Sequence, residues 1–163
     1  MKRHILPLFL LTFLSIIVLG CGPISSLDID RDGATIDVVL KESQVDKILK
    51  RADLTLEDEE GSILDEITGV NFQEGYIEVL GLYTDDSGAT REGSLDIEIG
   101  ATDGMLDVAI KNVEIENVDP ADIEKVNREL AAEFASEAQN GDVEFREVVV
   151  TSSKLTMQVA VRF

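Results

Sequence analysis

The chain has 163 residues, with 33 Asp and Glu against 14 Lys and Arg, for a formal charge of −19. An acidic excess of that size repels nucleic acid and anionic headgroups and favours a soluble, well-separated domain, so no nucleic-acid function is expected. One Cys, one His and no Trp leave no disulfide, no zinc finger and no Cys–His nucleophilic pair.

In chain order, Lys2 and Arg3 form a short positive start, and Ile5 to Leu19 is an apolar run interrupted by Pro7, Thr12 and Ser15. This charge-then-apolar order is that of a signal peptide. A spanning helix needs roughly 20 apolar residues, so the run is short for a permanent anchor, and Gly20-Cys21-Gly22-Pro23 breaks it. Cleavage before Cys21 would remove Lys2, Arg3 and His4, so 12 basic residues (14 less two) would face 33 acidic ones. No histidine general base would then remain.

The sequence Val18-Leu19-Gly20-Cys21 resembles the bacterial lipobox. That resemblance implies a leader over residues 1–20, a diacylglyceryl group on the Cys21 thiol, an acylated new amine, and export with anchoring to the cell membrane or outer membrane. One acyl chain holds a protein marginally, whereas two or more hold it firmly. Residues 21–33 read as the lipidated cysteine and a spacer, and 34–163 as one domain of ordinary size. At the end of the spacer, Asp28, Asp30 and Asp32 with Gly33 match the first half of a calcium loop. The glutamate that should close such a loop is replaced by Val39, so an acidic turn competes with a weak calcium site.

Ala34 to Lys41 alternates as a strand, with Ile36, Val38 and Leu40 on one side. Ser43 and Asp46 signal a helix start, and a short helix to about Ala52 follows with Val45, Ile48 and Leu49 on its apolar edge. Lys47, Lys50 and Arg51 gather at its end, where they complement the helix dipole or meet a headgroup. Glu57 to Gly61 reads as a solvated loop. Strands are expected in the later half of Ile63–Phe72, over Tyr76–Thr84, over Arg91–Ala101 and from Met105 to Asn117, with turns at Gln73–Gly75, Asp85–Gly88 and Asp103–Gly104. The apolar register of the fourth strand slips near Lys111-Asn112, which predicts a bulge. Asp119-Pro120 caps a second, longer helix with Ile123, Val126, Leu130, Phe134 and Ala138 on one stripe, stopped by Asn140-Gly141. Two strands close the chain around Ser152-Ser153.

This order predicts an α+β fold: a curved antiparallel sheet of about six to seven strands with one short and one longer helix packed on one face. From Thr35 onward the pattern resembles small exported proteins related to the tubular lipid-binding superfamily. It does so through Glu42 to Leu49, Gly75 to Gly81, Asp103 to Val108, Leu130-Ala131-Ala132 and the closing strand. The resemblance implies a curved sheet wrapped on a long helix with an apolar groove for acyl chains, and no catalytic residue. The groove candidates are Leu80, Leu82, Val108, Ile110, Ile123, Val126, Leu130, Phe134, Met157 and Val159.

The leading expectation is therefore a non-enzymatic, membrane-anchored lipoprotein, without cofactor, that holds or passes a lipid or other apolar ligand. The alternative is an envelope scaffold that meets a protein partner with its acidic face or an exposed strand edge. A carboxylate enzyme would instead need a cleft holding an acid whose burial raises its pKa.

Overall fold

A computed structural model describes residues 24–29, 33–52, 63–137 and 143–162. The leader, Cys21, Asp30, Asp32, the acidic run 57–61, Ala138 and the Asn140-Gly141 stop lie outside these residues. The elements are β1 (Ile24–Ile29), β2 (Gly33–Leu40), α1 (Glu42–Arg51), β3 (Glu66–Phe72), β4 (Ile77–Thr84), β5 (Thr90–Thr102), β6 (Met105–Glu114), α2 (Pro120–Glu137), β7 (Val143–Thr151) and β8 (Lys154–Arg162).

The fold is α+β, but its strands do not form one sheet of six or seven. They form two antiparallel sheets of four, ordered β1-β2-β8-β7 and β3-β4-β5-β6. The division follows from pairing. The closing hairpin β7–β8 returns to the first strand of the domain, so that β2 and β8 pair in unbroken register from Gly33↔Arg162 to Leu40↔Leu155. The central strands meander among themselves. Tubular wrapping of a single sheet around a helix, implied by the resemblance above, is not what these strands build.

Each sheet turns one face inward because side chains alternate along a strand. Ile36, Val38, Leu40, Leu155, Met157 and Val159 supply the first inner face, and Val70, Phe72, Ile77, Val79, Leu95, Ile97, Val108 and Ile110 the second. Helix α1 adds Val45, Ile48 and Leu49, and α2 adds Val126, Leu130 and Phe134. All join one core with Ile63 and Leu64.

The sheets also meet end to edge. Strand β7 passes the hairpin ends of the second sheet, where the Gly75 N–H donates to the Val150 carbonyl at 3.1 Å and the Phe145 N–H to the Gly104 carbonyl at 2.9 Å. The hairpin at Gly104 depends on left-handed backbone, with φ of 53° at Asp103 and 82° at Gly104, a conformation open to glycine and tolerated by Asp. Packing of β3 against β4 has a different requirement. A Cβ on Gly81 would stand 2.5 Å from the Glu66 carbonyl oxygen and 2.8 Å from the Leu64 methyls.

Several local expectations meet the structure closely. The bulge in β6 is present where the apolar register slips: pairing jumps between Asp96↔Lys111 and Ser94↔Glu114, and Asn112 has φ of 45°. The Asp119 carboxylate accepts the Ala121 N–H at 2.8 Å at the start of α2. Two others change. Ser43 lies inside α1 rather than capping it, and the Gln44 side chain instead accepts the Lys41 N–H at 3.0 Å. The stretch read as spacer contains β1, paired with β2 from Ile24↔Val38 to Ile29↔Ala34.

Candidate functional site

The groove residues separate by face. Val108, Ile110, Val126, Leu130, Phe134, Met157 and Val159 are buried together in the core, against side chains of both helices and both sheets. Ile123 is half-buried at the margin of that core. Leu80 and Leu82 lie on the opposite face of β4, where Leu80 pairs with Gly69 and Ser94, and Leu82 with Glu66 and Glu92. The ten therefore do not line one groove, and most of them are consumed in packing. The helical stripe of α2 is core-filling because β6 lies directly beneath it. The Asn127 side chain accepts the Ile110 N–H at 2.9 Å, tying the helix to that outer strand.

A cleft of about 730 Å³ opens elsewhere, at the start of α1. Its walls come from separate segments: Val39 from β2, Lys41 at the N-cap of α1, Glu42, Ser43 and Asp46 from α1, Val70 from β3, Ser153 from the β7–β8 turn and Lys154 at the start of β8. None of the groove candidates lines it. Sequence reasoning finds the helix start but not the cleft, because no local pattern links Val70 or Lys154 to Lys41. The Asp46 carboxylate is paired with Lys50 at 2.9 Å.

Charge is distributed unevenly. Strand register places Glu66, Glu78, Glu92, Asp96, Glu98 and Asp107 on the outer face of the second sheet, with Lys111 as a basic neighbour. Among the described residues none of these six acids is in an ion pair, and two accept from neutral amides: Asn71 donates to Glu78 at 3.0 Å and Asn112 to Asp96 at 2.8 Å. Met105, 68 % exposed, stands at the turn end of the same face. The basic residues of α1 are directed differently. Arg51 binds Glu133 and Glu137 of α2, and Lys50 binds Asp46. These contacts account for Lys50 and Arg51 as ties within and between helices. Hydrogen bonding to Glu137 holds the Arg51 guanidinium above its ordinary pKa.

Asp85 closes the β4–β5 turn by accepting from the Ser87 hydroxyl and amide, the Ala89 amide and Arg91. The Ser87 hydroxyl and the Arg91 guanidinium, joined by the Ala89 amide, hold its carboxyl well below the usual carboxylate range. An acid held ionised by turn contacts around neutrality is a structural element of the turn and a poor proton donor there. Among the described residues no polar or charged residue is buried, and no group of three His, Cys, Asp or Glu is placed to hold a metal. Asp28 of the calcium candidate is committed to β1, opposite Thr35.

The remaining feature is the edge of the first sheet. Leu27 and Ile29 of β1 pair with Ile36 and Ala34 and project to the same side as the core residues, yet they are 40 % and 50 % exposed. Strand β1 is held on its other face by Ser26, whose hydroxyl donates to Asp37 at 2.6 Å, while Gln158 donates to the second Asp37 oxygen at 3.3 Å.

Comparison with protein-family models, curated proteins and solved structures finds no match to this chain.

Proposed function

We propose that the chain is an exported lipoprotein, cut before Cys21 and acylated there, whose folded domain is a non-enzymatic binding module of the cell envelope. It meets a protein partner across its surface rather than enclosing a ligand. The observation that carries this reading is the use of the apolar stripe: Leu130, Phe134, Met157 and Val159 are fully buried against one another's elements, where an acyl chain would need space. The acidic outer face of the second sheet, with its carboxylates unneutralised by ion pairs among the described residues, suits a basic partner surface. Such charge chiefly sets approach rate and selectivity.

Two measurements test this. Intact mass of the full-length gene product extracted from bacterial membranes is expected to begin at residue 21 and carry lipid, and Cys21→Ala is expected to abolish both. A chain retaining its leader, or cut without lipid, would contradict the anchor. Native mass spectrometry of the domain is expected to give the bare protein mass. An acyl species released only on denaturation would restore the groove reading and overturn surface binding.

A further inference from the structure

We propose that β1 is a membrane-contact edge: Leu27 and Ile29 rest in the interface of the bilayer that holds Cys21. This inference rests on the lipid anchor proposed above and deepens it by naming the surface the domain turns toward the membrane.

The argument begins with distance. The first described strand starts at Ile24, three residues after the cysteine. A chain spans at most about 3.6 Å per residue, so Ile24 lies within roughly 11 Å of Cys21. Headgroups occupy the outer several ångströms of the bilayer on each side, so the first strand begins at the membrane surface. The reach is too short to lift it away.

The second observation is what that strand exposes. Across the first sheet, Ile29, Ala34, Val161 and Val143 form one apolar row, and Leu27, Ile36, Val159 and Phe145 the next. Ile36, Val159 and Phe145 are buried, as is Ala34, while Val161 and Val143 are half-buried, and exposure rises to 40 % and 50 % only at Leu27 and Ile29 on β1. The inner face thus continues past the core and emerges beside the anchor. Apolar side chains at a bilayer boundary gain burial there without needing a complementary pocket.

Charge favours the same orientation. Asp28 and Asp37 belong to the back of the first sheet, opposite the side that carries Leu27 and Ile29, and Asp37 is hydrogen-bonded by Ser26 and Gln158. The acids Glu78, Asp96 and Glu98 belong to the other sheet, and repulsion from anionic headgroups turns that sheet outward. A tether of a few residues keeps β1 at high effective concentration against the surface, so even a modest contact is populated.

The absence of tryptophan and the single cysteine make the test direct. The chain from Cys21 onward, which contains every described residue, is coupled through Cys21 to a maleimide phospholipid in phosphatidylcholine vesicles, carrying Leu27→Trp or, as control, Met105→Trp. Quenching by brominated acyl chains is expected to remove the larger part of the indole emission of the Leu27→Trp protein and shift it to the blue, while emission of the Met105→Trp protein is unchanged. Equal, weak quenching in both proteins would overturn the proposal. So would an indole at position 27 already shielded in vesicle-free solution in a concentration-dependent way, which would assign the edge to a second copy of the chain. Because the anchor is supplied chemically, a negative result here leaves acylation of Cys21 standing, whereas an unlipidated mass from cells removes the anchor whatever the quenching shows.

Discussion

Two ends of one inner face behave differently. Leu40, Leu155 and Met157 at one end of the first sheet are wholly buried, while Leu27 and Ile29, on the same side of the same sheet, are 40 % and 50 % exposed. What differs is cover. At the buried end the second sheet and both helices close over the strands, and the outer strands are tied down: β6 by Asn127 and β7 by the turns at Gly75 and Gly104. Strand β1 is paired with β2 on one side and ends the sheet on the other. Binary patterning alone cannot distinguish an apolar face that becomes core from one that meets another surface, because both have period two.

The sharpest way to break the comparison is to cut into the covered end. Leu130→Ala removes a wholly buried side chain from among packed neighbours. It is expected to lower unfolding free energy by about 2–5 kcal/mol in urea titration. Gly81→Ala should cost about 1–3 kcal/mol by the same measurement, since the new methyl meets the Glu66 carbonyl and the Leu64 side chain. Asn127→Ala leaves the Ile110 N–H without its acceptor, and a loss of about 1 kcal/mol is expected, with faster amide exchange in β6.

A pH series probes the turn beside the acidic face. The folded Asp85 carboxyl sits below its ordinary value, so its contribution is present above the usual carboxylate range and fades as pH falls through that range toward the folded value. Asp85→Asn should therefore melt lower than wild type near neutrality, with the gap closing as the solution is acidified. A gap independent of pH would show that the carboxylate charge is immaterial.

The smallest stability effect is expected at the uncovered end. Leu27→Ser or Ile29→Ser should each cost about 1 kcal/mol or less, because each side chain is already about half in water. Their effect should appear instead in membrane retention of protein coupled to a single acyl chain, where anchoring is marginal. With two or more chains the same substitutions should be silent.

Much of the secondary structure is legible in the sequence because its periods are long and clean. Strand β8 alternates Leu155, Met157, Val159 and Val161 against Thr156 and Gln158, and α2 repeats Val126, Leu130 and Phe134 at helical spacing. Strand β1 is hidden for a physical reason: the register shift between Ile24 and Ser26 interrupts alternation in a segment of six residues, leaving Leu27 and Ile29 as an isolated pair among Ser and Asp. The division into two sheets is equally invisible, since each strand's pattern names a buried face but not its partner. The groove candidates are apolar and largely buried, yet whether a stripe lines space or fills it depends on the element opposite. The cleft at α1 draws on Val39, Val70 and Lys154, whose proximity follows from topology alone.

The most direct test of the proposed contact between β1 and a bilayer is hydrogen–deuterium exchange on the Cys21-coupled protein, compared on phosphatidylcholine vesicles and free in solution. Slower exchange over residues 24–29 on vesicles, with β4 and β5 unchanged, is the expected result. Exchange over 24–29 that is the same in both states would contradict it.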